Sequence, residues 1–161
     1  MVLHNRVNKK ELKEQLMNEK IRRITLSFYR YVKIDDPSLL RDEMYKRWSE
    51  MKVFGRIYFA NEGVNAQLSV PEDNFENFKR DLYSDKRFEN VPFKIAVEDD
   101  GKSFYKLAVK VRRKIVADGL NDDTFDVSNV GKHLSAREFN EAMETPGTIV
   151  VDMRNHYESE I

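Results

Sequence analysis

The stretch Val53-Phe54-Gly55-Arg56-Ile57-Tyr58-Phe59-Ala60-Asn61-Glu62-Gly63-Val64-Asn65-Ala66-Gln67-Leu68-Ser69-Val70-Pro71 decides the fold. In its first half, Ile57 and Phe59 share one side. In its second, Val64, Ala66, Leu68 and Val70 alternate with Asn65, Gln67 and Ser69. Period-two alternation is the pattern of a half-buried strand, and two such runs across a short Asn-Glu-Gly turn predict a β-hairpin. Pro71 then begins a helix expected to bury Phe75, Phe78 and Leu82.

Upstream, Arg22 to Ile34 reads as a strand, with Ile24, Leu26 and Phe28 alternating with Thr25, Ser27 and Tyr29. Asp36-Pro37 opens a helix, since Asp caps well and Pro lacks only an N–H that the first turn leaves unpaired anyway. Leu40, Met44, Trp48 and Met51 follow at helical spacing, and Leu12 and Leu16 mark a short helix over Lys9 to Glu19. Downstream, Phe93, Ile95 and Val97 form a fourth predicted strand. The order strand, helix, strand, strand, helix, strand predicts an α+β, ferredoxin-like (acylphosphatase-like) βαββαβ fold: one antiparallel sheet with two helices on one face.

After the Asp99-Asp100-Gly101 turn, Phe104 to Val116 reads as a further extended segment. Tyr105, Leu107, Val109 and Val111 fall on one side, and Lys106, Lys110 and Arg112 on the other. A second unit starts near Val130. Ser135 to Glu138 is a capping box ahead of Phe139, Ala142 and Met143, and Thr148 to Val151 reads as a buried parallel strand. The predicted division is a helical extension over 1–21, a ferredoxin-like domain with an extra basic strand over 22–120, a linker over 121–129, and the truncated start of an α/β domain over 130–161.

The chain has 161 residues with 28 basic and 28 acidic side chains. A zero sum argues against a wholesale polyanion binder but leaves room for a local basic face. There is no cysteine, which excludes disulfides and thiolate catalysis within these residues. His4, His133 and His156 have no metal-ligand spacing, so no metal site is expected. No signal-like N-terminus and no run of about 20 apolar residues is present. A cytoplasmic protein without a membrane partner is the expectation, with oligomeric state open.

Period-two counting places Tyr29, Tyr31, Arg56, Tyr58, Asn65, Gln67 and Lys94 on the sheet face opposite the helices. Aromatic rings and Arg on an open sheet suit nucleobase stacking, and amides suit base edges. Lys106, Lys110, Arg112 and Lys114, within a basic run that also holds Lys102 and Arg113, would take phosphates. These residues are the RNA-binding candidates. The plainer alternative is that Tyr favours strands and Lys guards a sheet edge. Glu62 reads as a solvated turn carboxylate. Paired acid–base groups, a nucleophile elbow and a Gly-rich phosphate loop are all lacking, so no catalytic residue is assigned. Asp152, Arg154 and Glu158 read as a structural cross-brace after the last strand.

Five segments carry a resemblance. Val151-Asp152-Met153-Arg154-Asn155-His156-Tyr157-Glu158 is similar to the opening signature of a rhodanese domain. Phe54 to Pro71, Asp99 to Gly119, Asn129 to Ser135 and the start at Val2 to Arg6 resemble the rhodanese-containing tRNA uridine hydroxylases, so the likeness covers essentially the whole chain. The resemblance implies a parent enzyme that hydroxylates the wobble uridine of tRNA to 5-hydroxyuridine, with molecular oxygen as co-substrate. It also implies a ferredoxin-like N-terminal domain, then a rhodanese domain bearing a cysteine, then a Cys-rich tail. The present sequence ends before that cysteine, so the chain is expected to be an inactive, tRNA-positioning portion with no cofactor of its own. Its expected partners are tRNA and the missing rhodanese domain and tail. A sulfurtransferase fragment and a purely structural or dimerisation module are the alternatives.

Overall fold

The computed structural model describes residues 7–97, 99–115, 126 and 129–152. They fall into two units, Met1–Asn129 and Val130–Ile161. In the first, helix α1 spans Lys9–Asn18, strand β1 Arg23–Tyr31 and helix α2 Pro37–Glu50. Strands β2 (Phe54–Ala60) and β3 (Gly63–Pro71) follow, then a short 3-10 turn and helix α3 (Phe75–Ser84), and finally β4 (Lys94–Ile95) and β5 (Leu107–Val111). The architecture is α+β, with an open five-stranded sheet in the order β4-β1-β3-β2-β5.

Local chemistry sets most of these boundaries. Asp36 caps α2, its Oδ1 accepting from the Ser38 and Leu39 amides at 3.0 and 2.9 Å, and Pro37 occupies the first turn. The β2–β3 hairpin pairs Ala60 with Gly63 across Asn61-Glu62. Gly63 has φ +148, and a Cβ there would lie 2.0 Å from the Arg30 carbonyl oxygen of β1, so the turn can approach β1 only without a side chain.

One face of the sheet is the core. Leu26 and Phe28 of β1, Ile57 and Phe59 of β2, Val64, Ala66 and Leu68 of β3, and Leu107 and Val109 of β5 are buried there together with Met44 and Trp48 of α2 and Phe78 and Leu82 of α3. Trp48 and Phe78 rings lie 5.3 Å apart, and the Trp48 indole N–H donates to Asp81 at 3.0 Å. Phe93 sits within 5.6–6.1 Å of Phe28, Phe75, Phe78 and Tyr83. These aromatic contacts contribute by buried area and by ring geometry.

The structure corrects the sequence reading in several places. The sheet is mixed, because β5 pairs parallel with β2. Residues 99–106 cross the face opposite α2 and α3, from Asp99 beside Thr25 of β1 to Lys106 beside Gly55 of β2, so the chain arrives there running with β2. Second, β4 has only two paired residues; Ile95 is 54% and Val97 89% exposed, because they lie at an edge that no helix covers. Third, the segment predicted from Phe104 is a strand only from Leu107, and Tyr105 does not share the buried side with Leu107 and Val109. Fourth, Thr148 to Val151 forms no strand among the described residues, since a strand needs a neighbour's backbone to pair with. Phe75 is only partly buried.

In the second unit, α4 spans Ala136–Glu144. The capping box forms: the Glu138 amide donates to Ser135 Oγ at 3.4 Å, and the Ser135 amide donates to Glu138 Oε2 at 2.8 Å. Hydrogen bonds from Lys132 and then Ser135 hold the Glu138 carboxyl down at about 2. Phe139 and Met143 are exposed on this unit, as are Val130 and Ile149 to Val151. Of the predicted linker over 121–129 only Asp126 and Asn129 are described; Arg154 and Glu158 of the predicted brace with Asp152, and the residues before Val7, lie outside the described residues.

Candidate nucleic-acid interface

The sheet face opposite α2 and α3 is built in cross-strand rows. Lys94, Ser27, Gln67, Arg56 and Ala108 form one row, and Tyr29, Asn65, Tyr58 and Lys110 the next. Tyr31 lies opposite Gly63 at the end of the sheet. Period-two geometry thus brings the predicted residues to one face, because register fixes the side on which every residue of a strand falls.

Both ends of this face are covered by the chain itself. At one end, Arg23 is buried. Its guanidinium donates to Ser69 Oγ and the Ser69 carbonyl, both at 3.2 Å, and to the Lys52 carbonyl. It also pairs with Glu19 at 3.3 Å and lies 4.1 Å from the Phe54 ring centroid. Burial lowers the Arg23 pKa from its ordinary value, and Glu19 offsets part of that. Gly101, at φ +72, packs over Arg23; a Cβ there would lie 2.9 Å from the Arg23 Cβ. At the other end, the Ile115 amide donates to Glu62 Oε1 at 2.7 Å, and Asn65 Nδ2 donates to the Ile115 carbonyl at 3.4 Å. Glu62, expected to be solvated, is instead an anchor for the chain leaving β5.

Between these ends, residues 103–106 bound a cleft of about 350 Å³. It is lined by Gly55, Arg56, Tyr58, Ser103, Phe104, Tyr105, Lys106, Ala108 and Lys110. Four predicted residues meet there: Arg56, Tyr58, Lys106 and Lys110. Three cations and three rings share a space at the lower end of the roughly 300–1,000 Å³ range of small-ligand sites. Arg112 lies 5.3 Å from the Tyr58 ring centroid, at the rim. Gln67 and Lys94 line a second cleft, described below. Tyr29 and Tyr31 line neither. Asn65 is occupied by Ile115, and Lys114 is half-buried and engaged within the protein.

Two comparisons bear on this arrangement. A family model described as the UPF0176 acylphosphatase-like domain matches residues 23–115. The chain belongs to that family. Among curated relatives of this UPF0176 chain, the tRNA uridine(34) hydroxylase of Leptospira interrogans serovar Lai is 58% identical over 159 residues, 99% of this chain and 43% of the relative. The proteins of the same name from Enterobacter sp. (strain 638) and Hamiltonella defensa are 50% and 47% identical over 161 residues, 46% and 45% of their own lengths. The chain therefore spans under half the length of the curated relatives it matches. Among solved structures, BlrP1 BLUF overlaps with a TM-score of 0.40 at 17% identity, over 58% of this chain and 66% of that one.

Sequence pattern alone does not mark Phe104, Tyr105, Arg23 or Asp99 as site residues. Asp99 fixes the crossing segment of the UPF0176 domain. It accepts from Thr25 Oγ1 at 2.8 Å, the Gly101 amide at 2.6 Å and Ser103 Oγ at 3.0 Å. Burial alone would raise its pKa; the three hydrogen bonds outweigh that and hold it below the ordinary value. The available signal was the Asp-Asp-Gly turn followed by aromatic residues in a polar stretch. Among the described residues no group of three or more His, Cys, Asp or Glu is placed to hold a metal, and no helix is long and apolar enough to cross a membrane.

Proposed function

We propose that this chain is the RNA-positioning part of a tRNA-modifying enzyme that hydroxylates the wobble uridine to 5-hydroxyuridine with molecular oxygen. In this reading residues 22–120 are a ferredoxin-like domain, with β5 added to its βαββαβ core. Residues 130–161 begin a rhodanese domain that, with a further tail, supplies the chemistry. The protein works in the cytoplasm on tRNA. The chain itself contributes no catalytic residue.

The observation that carries this reading is the cleft in which Arg56, Lys106 and Lys110 surround Tyr58, Phe104 and Tyr105 on the sheet face opposite the core. Cations take phosphates and rings take bases. The names of the curated relatives supply the substrate.

The test is binding of the 161-residue chain to bulk tRNA across a salt series. Salt-sensitive binding is expected. Replacing Lys106, Lys110 and Arg112 together by alanine should lower the slope of log K against log salt by about 2–3, close to one unit per lost phosphate contact. An unchanged slope would remove these residues from the interface, and no binding at low salt would favour a purely structural module.

A further inference from the structure

The space on the outer face is divided. Beside the first cleft lies a second of about 350 Å³, lined by Thr25, Ser27, Gln67, Lys94, Ile95 and Phe104 among others. Ser103 and Phe104 line both clefts and so form the ridge between them. The two sides differ in chemistry. One is cationic and aromatic, with Arg56 5.8 Å from the Phe104 ring centroid. The other offers hydroxyls and the Gln67 amide, with Lys94 the one cation lining it among the described residues.

The ridge is held from both ends. Upstream, Asp99 ties the segment to Thr25 and closes on the Gly101 amide and Ser103. Downstream, the Lys106 carbonyl accepts from the Gly55 amide at 2.9 Å, which delivers the chain into β5. A partly exposed phenylalanine in a segment so fixed is preorganised, and binding to it loses little to loop ordering.

We propose that Phe104 separates two nucleotide subsites, so that the face takes a single-stranded run of RNA with consecutive bases splayed to either side of the ring. This rests on the RNA-positioning reading above and specifies the conformation of the ligand. Each cleft has the volume of a site for one small group. A duplex keeps its base faces stacked inside the helix and cannot offer them to a ring, whereas unpaired nucleotides can. Gln67 Oε1 and Nε2 are placed to read the edge of the base in the second cleft. The Arg56 and Lys110 charges are placed to hold the backbone at the first.

The test uses the 161-residue chain with a short single-stranded RNA carrying 2-aminopurine, and with the same strand annealed to its complement. Tighter binding of the single strand, with quenching of 2-aminopurine on binding, is expected. Phe104→Leu keeps apolar bulk but removes the ring. It should weaken single-strand binding about tenfold, within the range of stacking per base, abolish the quench, and leave the salt slope unchanged. Phe104→Tyr should bind as the parent does. Salt-dependent binding without quenching in the parent chain, or equal affinity for the duplex, would overturn the ridge while leaving the RNA reading in place. Loss of all salt-dependent binding in the parent chain would overturn both. The quench is read on the unaltered protein, so it decides even if Phe104→Leu fails to fold.

Discussion

At the scale of single residues, Arg23 is heavily engaged on the outer face. Its guanidinium serves Ser69, Lys52 and Glu19 while stacking near Phe54. Removing such a donor leaves its acceptors enclosed and unpaired, and this sets the size of the effect more than the charge does. Arg23→Met is expected to destabilise the fold by about 1.5–3 kcal/mol, the range for hydrogen bonds to a charged group. The measurement is urea unfolding: the midpoint should fall while the slope stays constant. A change within about 0.5 kcal/mol, typical of an ordinary surface position, would show that water replaces the guanidinium at those acceptors. Arg23 was invisible as a special residue in the sequence because it opens a strand, where an Arg ordinarily reaches solvent. Nothing local announces that Glu19, Gly101 and Ser69 converge on it from three other segments.

At the scale of elements, the segment from Asp99 to Lys106 is one part whose integrity depends on pH. Folding lowers the Asp99 pKa, so its ionised carboxylate favours the closed segment. That contribution is complete above the ordinary value of 3.8 and disappears as pH falls below it through the lowered value. The Gly101 amide, which donates to the Asp99 carboxylate, should therefore lose exchange protection in acid before the β2–β3 hairpin does, and Asp99→Asn should flatten that dependence. An unchanged acid response in the variant would point to another carboxylate, such as Asp85, whose pKa is lowered chiefly by its hydrogen bond from Arg87. The hairpin, the Asp36-Pro37 helix start and the Ser135–Glu138 capping box were all legible, because each depends on bonds or alternation within a few residues. Tyr29, Arg56, Tyr58 and Lys110 were legible as one face for the same reason. The direction and edge of β5 were not, since a parallel partner is chosen by where a crossing segment ends. Phe104 and Tyr105 were misread with them: period-two counting treats a crossing loop as though it were already strand. Ile95 and Val97 kept the alternation of a buried strand, but burial depends on a covering helix, and α3 meets Phe93 instead.

At the scale of the Met1–Asn129 unit, the sheet separates two kinds of work. Its helix side holds the apolar core, and its outer side holds a fixed slot between two self-made ends, with Arg56, Lys106 and Lys110 around it. A chain of zero net charge can still attract a polyanion there, because the field near the slot is set by local cations and not by the total. The same separation has a spectroscopic consequence. Trp48 is the one tryptophan in the chain; it is 0% exposed, bonded to Asp81 and packed on Phe78, with the whole sheet between it and the slot. Its emission should stay fixed in wavelength as RNA is titrated in and shift to the red only when denaturant opens the core. A red shift during titration would mean that ligand on one side of the sheet loosens the packing on the other. If the emission holds still, the protein carries its own internal dye for folding that is blind to occupancy, and the two equilibria can be followed in one cuvette without a label on the protein.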